Sequence, residues 1–119
     1  MFYGQCHCGG VELRVVDLTE TGTSCTCSIC SRYAVVWGYY KSADVEIILH
    51  NTNQHSYRHG DCLIDFNRCS HCGCVTHYSP TERSNADNIA INFRMFGPDV
   101  LSKIRIRTFD GADTWKYLD

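Results

Sequence analysis

Nine cysteines in a chain of 119 residues limit the possible folds of this chain more than any other feature. Because nine is odd, they cannot all pair as disulfides within one chain. Eight of them cluster along the sequence, and only Cys62 has no other cysteine within three residues. The clusters are Cys6 and Cys8; Cys25, Cys27 and Cys30; and Cys69, Cys72 and Cys74. Core thiols have no reason to cluster, so this spacing indicates metal ligands or reactive thiols, whereas Cys62 is more typical of a core residue.

The distribution of apolar and basic residues indicates where in the cell this protein acts and which classes of partner it binds. The N-terminal segment has neither the basic nor the apolar region of a secretory signal, and no apolar run approaches the roughly 18 residues that a membrane span needs. We therefore expect a protein of a reducing compartment, the cytoplasm, with no membrane-spanning segment. The formal charge is −2, and the 11 Lys and Arg residues form no block, which argues against nucleic acid as a partner.

The first and third clusters have spacings that suit one zinc ion. Cys69-x-x-Cys72 allows the backbone to turn around a metal, and Gly73 can supply the positive φ that such a turn requires. A Cys-x-Cys pair on an extended strand is less suitable, because its side chains lie about 7 Å apart. Gly9 and Gly10 permit the bend that would bring Cys6 and Cys8 together. The two pairs together predict a closed structural zinc site with four thiolate ligands, Cys6, Cys8, Cys69 and Cys72.

The middle cluster offers three thiols within six residues, Cys25, Cys27 and Cys30. Three protein ligands leave one position of a tetrahedral zinc open, which is the arrangement of catalytic zinc sites. A second closed site is the alternative, with a fourth ligand from elsewhere in the chain. The candidates for that ligand are Cys62, Cys74, His71 and His77. A redox-active Cys27-x-x-Cys30 pair is a further alternative, although no βαβ pattern surrounds it.

Apolar alternation at period two predicts one domain over residues 1–119 that is mainly β and mainly antiparallel, with short loops. Val11, Leu13 and Val15 show the alternation most clearly. Further strands are predicted at 33–40, 45–49, 63–68, 75–78, 88–95 and 104–109. The Cys-x-x-Cys turn between the strands at 63–68 and 75–78 predicts a zinc-ribbon hairpin. Residues 20–24 are predicted as a loop, and at most one short helix is expected, from Pro98 through Lys103.

Three motifs carry a resemblance to a known family. They are Gly4-Gln5-Cys6-His7-Cys8-Gly9, Cys25-Thr26-Cys27-Ser28-Ile29-Cys30 and Cys69-Ser70-His71-Cys72-Gly73. In order, spacing and residue type they resemble the glutathione-dependent formaldehyde-activating enzyme family, which includes centromere protein V. The resemblance spans residues 4–96.

The resemblance implies a fold of coiled antiparallel β-sheets with two zinc ions. It implies a structural zinc on Cys6, Cys8, Cys69 and Cys72 and a catalytic, more labile zinc on Cys25, Cys27 and Cys30. The implied activity is that of a carbon–sulfur lyase run in reverse, the condensation of glutathione with formaldehyde to S-(hydroxymethyl)glutathione. Since centromere protein V shares the motifs, a non-catalytic zinc module that binds protein or nucleic acid is the alternative. Seven thiolates and two Zn²⁺ ions would change the formal charge from −2 to −5, which argues further against nucleic acid.

Other residues are candidates for roles around the three-cysteine site. Arg32 is the cation nearest to it in sequence. His77 and His71 are candidate proton donors, although second-layer or exposed positions are the more usual ones for histidine. Candidates for binding the carboxylates of glutathione are Arg32, Arg58 and Arg94. Trp37, Tyr39 and Tyr40 either line a pocket or belong to the core.

Overall fold

The computed structural model describes residues 1–119 and contains ten strands and two short helices. The elements are β1 (Phe2–Gln5), β2 (Val11–Val15), β3 (Thr21–Cys25), α1 (Ser28–Tyr33), β4 (Trp37–Lys41), β5 (Val45–Leu49), β6 (Gln54–Tyr57), β7 (Ile64–Cys69), β8 (Val75–Pro80), β9 (Asn88–Asn92), α2 (Pro98–Leu101) and β10 (Arg105–Phe109). Short 3₁₀ turns occupy Ser42–Asp44 and Phe93–Phe96. The mainly β prediction is therefore confirmed. None of the helices is long and apolar enough to cross a membrane.

The ten strands form two open sheets. A three-stranded antiparallel sheet has the order β1-β2-β5, and a seven-stranded sheet has the order β10-β3-β4-β9-β8-β7-β6. All neighbours in the larger sheet are antiparallel except β10 and β3, which pair in parallel from Arg105 opposite Thr21 to Phe109 opposite Cys25. This parallel pair is the exception in sheets whose other pairings are all antiparallel, in agreement with the prediction of a mainly antiparallel domain. It arises because β10 returns to the edge of the sheet beside β3 rather than as the second strand of a hairpin.

Side-chain alternation joins the sheets into one core. Val11, Leu13 and Val15 of β2 are fully buried, while the intervening positions of the strand are partly exposed. Val15 packs in a cluster with Val36, which precedes β4, with residues in and just after β9, and with Val100 of α2, so the small sheet covers the larger one there. The buried members of that cluster are Val15, Val36, Ile91, Phe93, Val100 and Ile104.

Helix α1 differs from the prediction of at most one helix and of a strand from residue 33. It begins after Cys27, whose Sγ accepts a hydrogen bond from the backbone N–H of Cys30 over 3.4 Å, and it ends at Ala34 in the left-handed region, with φ 54°. A helix of six residues is too short to show a 3.6-residue apolar period, and a thiol replaces the usual capping residues. The predicted helix after Gly97 exists, as α2 at Pro98–Leu101.

Residues 20–24 were predicted as a loop, but most of them form β3. Gly22 lies so close to the core that a Cβ there would come within 2.7 Å of the Val36 side chain. The Thr- and Gly-rich composition is therefore explained by close packing rather than by a turn. Strand β6 also carried no signal, because all four of its residues are exposed at the sheet edge.

The predicted zinc-ribbon hairpin is present as β7 and β8. Its turn is closed by two backbone hydrogen bonds of 3.0 Å, from the N–H of Gly73 to the carbonyl of Cys69 and from the N–H of Cys69 to the carbonyl of Cys74. Gly73 has φ 78°, the left-handed conformation that its place after the Cys-x-x-Cys pair requires.

Candidate metal centres

Four cysteine sulfurs converge where the N-terminal segment meets the β7–β8 hairpin. The Sγ atoms of Cys6, Cys8, Cys69 and Cys72 all lie within 4.8 Å of one another. The separation from Cys8 Sγ is 3.7 Å to Cys6 Sγ and 3.6 Å to Cys69 Sγ. Four ligands at the usual Zn–S distance of about 2.3 Å stand about 3.8 Å apart at the corners of a tetrahedron. The donor type and the spacing of this group therefore fit a four-coordinate zinc.

The chain bends between Cys6 and Cys8, as the sequence analysis required. Strand β1 ends at Gln5, and the N–H of Gly9 donates to the carbonyl of Cys6 over 3.0 Å, which closes a tight turn. Gly9 has φ 81°. Because of this turn the two thiols point to one place instead of lying about 7 Å apart along a strand.

Backbone N–H groups surround this four-cysteine group. The N–H of Val11 donates to Cys6 Sγ over 3.2 Å. The N–H groups of Cys72 and His71 lower the pKa of the Cys69 thiol to about 7, against the opposing effect of burial. Donors of this kind stabilise thiolates, the form in which cysteine binds a metal.

The middle cluster brings three sulfurs together at the start of α1. Cys25 ends β3, Cys27 precedes the helix and Cys30 lies in its first turn, and their Sγ atoms also lie within 4.8 Å of one another. Three N–H donors face these sulfurs. They are the N–H of Cys27 to Cys25 Sγ at 3.5 Å, the N–H of Cys30 to Cys27 Sγ at 3.4 Å and the indole Nε1 of Trp37 to Cys30 Sγ at 3.4 Å. This group fits three corners of a zinc tetrahedron.

None of the four residues considered as a fourth ligand joins the three-cysteine group. Cys62 lies in a partly exposed loop, where its thiol contacts the carbonyl of Gly60 at 3.7 Å, so it is not the core thiol expected from the sequence. Cys74 packs beside Cys6 and Cys69. His77 is buried and shares a 2.9 Å hydrogen bond with Thr76. His71 stands exposed in the β7–β8 turn.

A cavity of about 670 Å³ adjoins the three-cysteine group. All three cysteines line it, together with aromatic and aliphatic side chains from several elements. The other lining residues are Ser28, Ile29, Trp37, Tyr39, His59, Gly60, Asp61, Ile64, Phe66, Tyr78, Phe109, Gly111, Ala112 and Trp115. The side that a fourth ligand would approach is therefore open to a molecule of substantial size.

The aromatic residues predicted as either pocket or core divide between the two. Trp37 and Tyr39 line the cavity. Tyr40 belongs to the core side, where its ring lies 6.4 Å from that of Phe93 and its hydroxyl donates to the carbonyl of Asp17 over 2.7 Å.

The three candidate arginines lie outside this cavity. Arg58 forms ion pairs with Asp65 at 2.6 Å and Glu82 at 2.8 Å, and Arg94 donates to the carbonyl of Ala34. Arg32 donates to the carbonyl of Ser28 over 2.7 Å on the exposed side of α1. It lines a smaller cavity of about 350 Å³ that shares Ser28, Ile29 and His59 with the larger one.

Part of the cavity wall was not anticipated from the sequence. Phe109, Gly111, Ala112 and Trp115 belong to β10 and the segment after it, which carried no motif beyond an Asp-Gly turn. The parallel pairing places Phe109 opposite Cys25, and Thr26 Oγ1 donates to Asp110 Oδ1 over 2.7 Å. Gly111 lies so close that a Cβ there would stand 2.7 Å from Cys25 Sγ. Only a long-range strand pairing reveals these neighbours.

The fold and the two cysteine groups define a class of small β protein with one closed four-sulfur cluster and one three-sulfur cluster beside a cavity. The sequence model of the glutathione-dependent formaldehyde-activating enzyme family matches residues 1–107, and the chain belongs to that family. A crystal structure of a Rhodobacter sphaeroides protein, determined as a structural-genomics target, is similar, with a TM-score of 0.69 and 26% identity over 88% of this chain and 99% of the other. No curated protein matches the chain.

Proposed function

We propose that this chain joins a small thiol to formaldehyde, as in the formation of S-(hydroxymethyl)glutathione, and that it acts as a carbon–sulfur lyase in the reverse direction. Family membership supports this reaction class. The observation that carries the proposal is that the sulfurs of Cys25, Cys27 and Cys30 converge in the wall of a cavity of about 670 Å³. We assign a structural zinc to Cys6, Cys8, Cys69 and Cys72, and a catalytic, more labile zinc to the three-cysteine group. A reducing compartment such as the cytoplasm would keep these thiols available.

The proposed reaction needs no oxidant or reductant. Zinc bound by the three-cysteine group would keep a substrate thiol ionised near neutral pH. The substrate sulfur forms a bond to the carbon of formaldehyde, the electron pair of the C=O π bond moves to oxygen, and that oxygen takes up the proton the thiol gave up. Around this centre, the N–H groups of Cys27, Cys30 and Trp37 offset the negative charge of three thiolates.

Tyr78 is our candidate for stabilising the new oxygen. Its side chain lines the cavity, and burial raises its pKa to about 12, so the phenol stays protonated near neutral pH. It can therefore donate a hydrogen bond to a developing alkoxide, and solvent can complete the proton transfer. His77 and His71, the donors considered from the sequence, do not line the cavity.

Arg32 is the arginine that we assign to a substrate carboxylate. It lines the smaller cavity, which shares Ser28, Ile29 and His59 with the main one. Because the side chain is exposed and already donates to the Ser28 carbonyl, this contact would contribute only about 0–1 kcal/mol.

Zinc content and a cobalt-substituted site test the proposal. We expect two zinc ions per wild-type chain and one per chain of Cys25→Ser, with Cys62→Ser as the control that keeps both, because Cys62 lies in neither sulfur group. In the cobalt-substituted protein, glutathione or another small thiol should change the visible absorption, and formaldehyde with thiol should yield the hydroxymethyl adduct. A cobalt spectrum that no thiol alters would reject the proposal.

A further inference from the structure

The cavity beside the three-cysteine group is walled by aromatic rings. Trp37 and Tyr78 meet edge to face with ring centroids 4.9 Å apart, and Phe109 and Trp115 do so at 5.1 Å. Phe66 extends the first pair, with its ring centroid 5.9 Å from that of Tyr78. Aromatic surfaces of this kind gain free energy by removing apolar groups of a ligand from water.

Charged partners for an anionic ligand are missing from the same wall. No Lys or Arg lines the cavity, and its lining includes the carboxylate of Asp61. Three thiolates with one Zn²⁺ add a net charge of −1 beside it. Glutathione carries two carboxylates, and a carboxylate that leaves water without a cationic or hydrogen-bonding partner loses binding free energy. Arg32 lines the adjoining smaller cavity instead.

Trp115 occupies an unusual position on this wall. Its backbone is left-handed, with φ 59°, and its side chain is 71% exposed. The N–H of Trp115 donates to the carbonyl of Asp110 over 2.8 Å, which holds the turn that directs the indole to Phe109 and the cavity. A large apolar side chain held exposed on strained backbone gains nothing for the core, so its position favours a role in binding.

The segment that carries Trp115 is fixed to the sheet. Arg107 donates to the carboxylate of Asp119 over 3.0 Å, and its guanidinium stands 3.8 Å from the centroid of the Tyr117 ring. The Tyr117 hydroxyl lies 2.9 Å from Thr23 Oγ1. The match to the family model ends at residue 107, so Phe109, Gly111, Ala112 and Trp115 lie beyond the matched residues.

We infer that Phe109 and Trp115 form a specificity wall that selects thiols with an apolar, uncharged body, such as an aryl or alkyl thiol, over glutathione. This inference rests on the proposed function, since the thiol group itself is held at the three-cysteine site. The apolar body lies between the Phe109–Trp115 pair and the Trp37–Tyr78 pair. The reaction with formaldehyde is unchanged, and the wall decides which thiol enters it.

Thiol binding to the cobalt-substituted protein tests the selection. We expect benzyl mercaptan to bind at least about 10-fold more tightly than glutathione, a modest part of the free energy of burying an aromatic ring. Trp115→Ala should weaken benzyl mercaptan about 10-fold and glutathione less than about 2-fold, and Trp115→Phe should retain the preference. Tyr3→Ala is the matched control, because Tyr3 is also exposed but does not line the cavity. Tighter binding of glutathione in the wild type, or an equal loss for both thiols in Trp115→Ala, overturns the inference.

A probe without sulfur separates this inference from the proposed function. Benzyl alcohol offers the same ring without a thiol, and its binding is read from the indole N–H resonances of Trp115 and Trp37 in the zinc-loaded protein; the Trp37 resonance remains in Trp115→Ala. If benzyl alcohol shifts both resonances in the wild type but not that of Trp37 in Trp115→Ala, while no thiol alters the cobalt spectrum, the apolar wall stands and the proposed function fails. If thiols alter the spectrum but benzyl alcohol leaves Trp115 unchanged, the proposed function stands and the specificity wall is rejected.

Discussion

The indole Nε1 of Trp37 donates a hydrogen bond to the Sγ of Cys30 over 3.4 Å. Trp37 is 1% exposed, so its ring connects the buried core directly to the three-cysteine group. This hydrogen bond partly neutralises the negative charge of a thiolate that would bind the metal. Burial strengthens the hydrogen bond because little water competes for the indole N–H.

Trp37→Phe removes that donor and keeps an aromatic ring in the core. Loss of such outer contacts typically costs 10- to 100-fold in metal affinity, and we expect about 10-fold weaker zinc binding at the three-cysteine group. Competition with a chromophoric chelator measures it, and the tighter zinc of the four-cysteine group should be unaffected. Trp115→Phe is the matched control. Unchanged affinity in Trp37→Phe would show that the bond to Cys30 has no influence on the metal.

The four-cysteine group holds the N-terminal segment onto the β7–β8 hairpin, so its metal should be required for folding. Structural zinc contributes roughly 10 to 16 kcal/mol of apparent binding free energy in zinc-finger peptides, comparable with the whole stability of a small domain. We expect Cys8→Ser, or chelation of the wild type, to abolish the cooperative thermal transition observed by circular dichroism. Cys62→Ser should keep that transition. A metal-free protein that still unfolds cooperatively would contradict this expectation.

Gly111→Ala tests the close approach of the C-terminal segment to the three-cysteine group. The added Cβ would stand 2.7 Å from Cys25 Sγ and 3.2 Å from the Cβ of Cys27, distances at which something must shift. We expect the variant to fold and to hold one zinc per chain instead of two. Ala112→Ser, at the next position of the same turn, is the control that should hold two. Two zinc ions and an unaltered cobalt spectrum in Gly111→Ala would exclude the contact.

His77 should make the folded state sensitive to mild acid. Burial lowers its pKa from 6.5 to about 4, so the folded protein keeps the ring neutral while the unfolded chain protonates it below pH 6.5. Its contribution to stability is therefore complete above pH 6.5 and is lost as the pH falls toward 4. Between pH 7 and pH 5 the free energy of unfolding should fall by about 2 kcal/mol more in the wild type than in His77→Gln.

Chemical denaturation at each pH measures this difference. The zinc ligands are the same in both proteins, so their own protonation cancels in the comparison. Equal pH dependence of the two proteins would mean that His77 is charged, or exposed, in the folded state.

Local signals made the cysteine groups and most strands predictable. Cys69 and Cys72 share a turn whose geometry follows from the two intervening positions and Gly73, and β5 lies at residues 45–49 as its β-branched run indicated. Both features depend on residues that are close in sequence, so the local composition and spacing are enough to predict them.

The remaining features depend on distant partners. Gly22 lies in a strand because Val36 packs against it, and α1 begins at a thiol rather than at one of the usual capping residues. Trp115 reaches the cavity only because β10 pairs with β3. The residues adjacent to these positions in sequence do not indicate which distant residues they contact. These contacts therefore could not be predicted from a single sequence.

The parallel pairing of β10 with β3 also sets an order of events during biosynthesis. Thr26 and Asp110, which hydrogen-bond at the three-cysteine group, are 84 positions apart in the chain, whereas Cys8 and Cys69 are separated by 61. A growing chain can thus complete its four-sulfur cluster well before β10 has left the ribosome. Until then Cys25 lacks its cover, and the site is exposed to cellular metals and oxidants. Any slowing of translation after residue 72 would lengthen that interval of vulnerability.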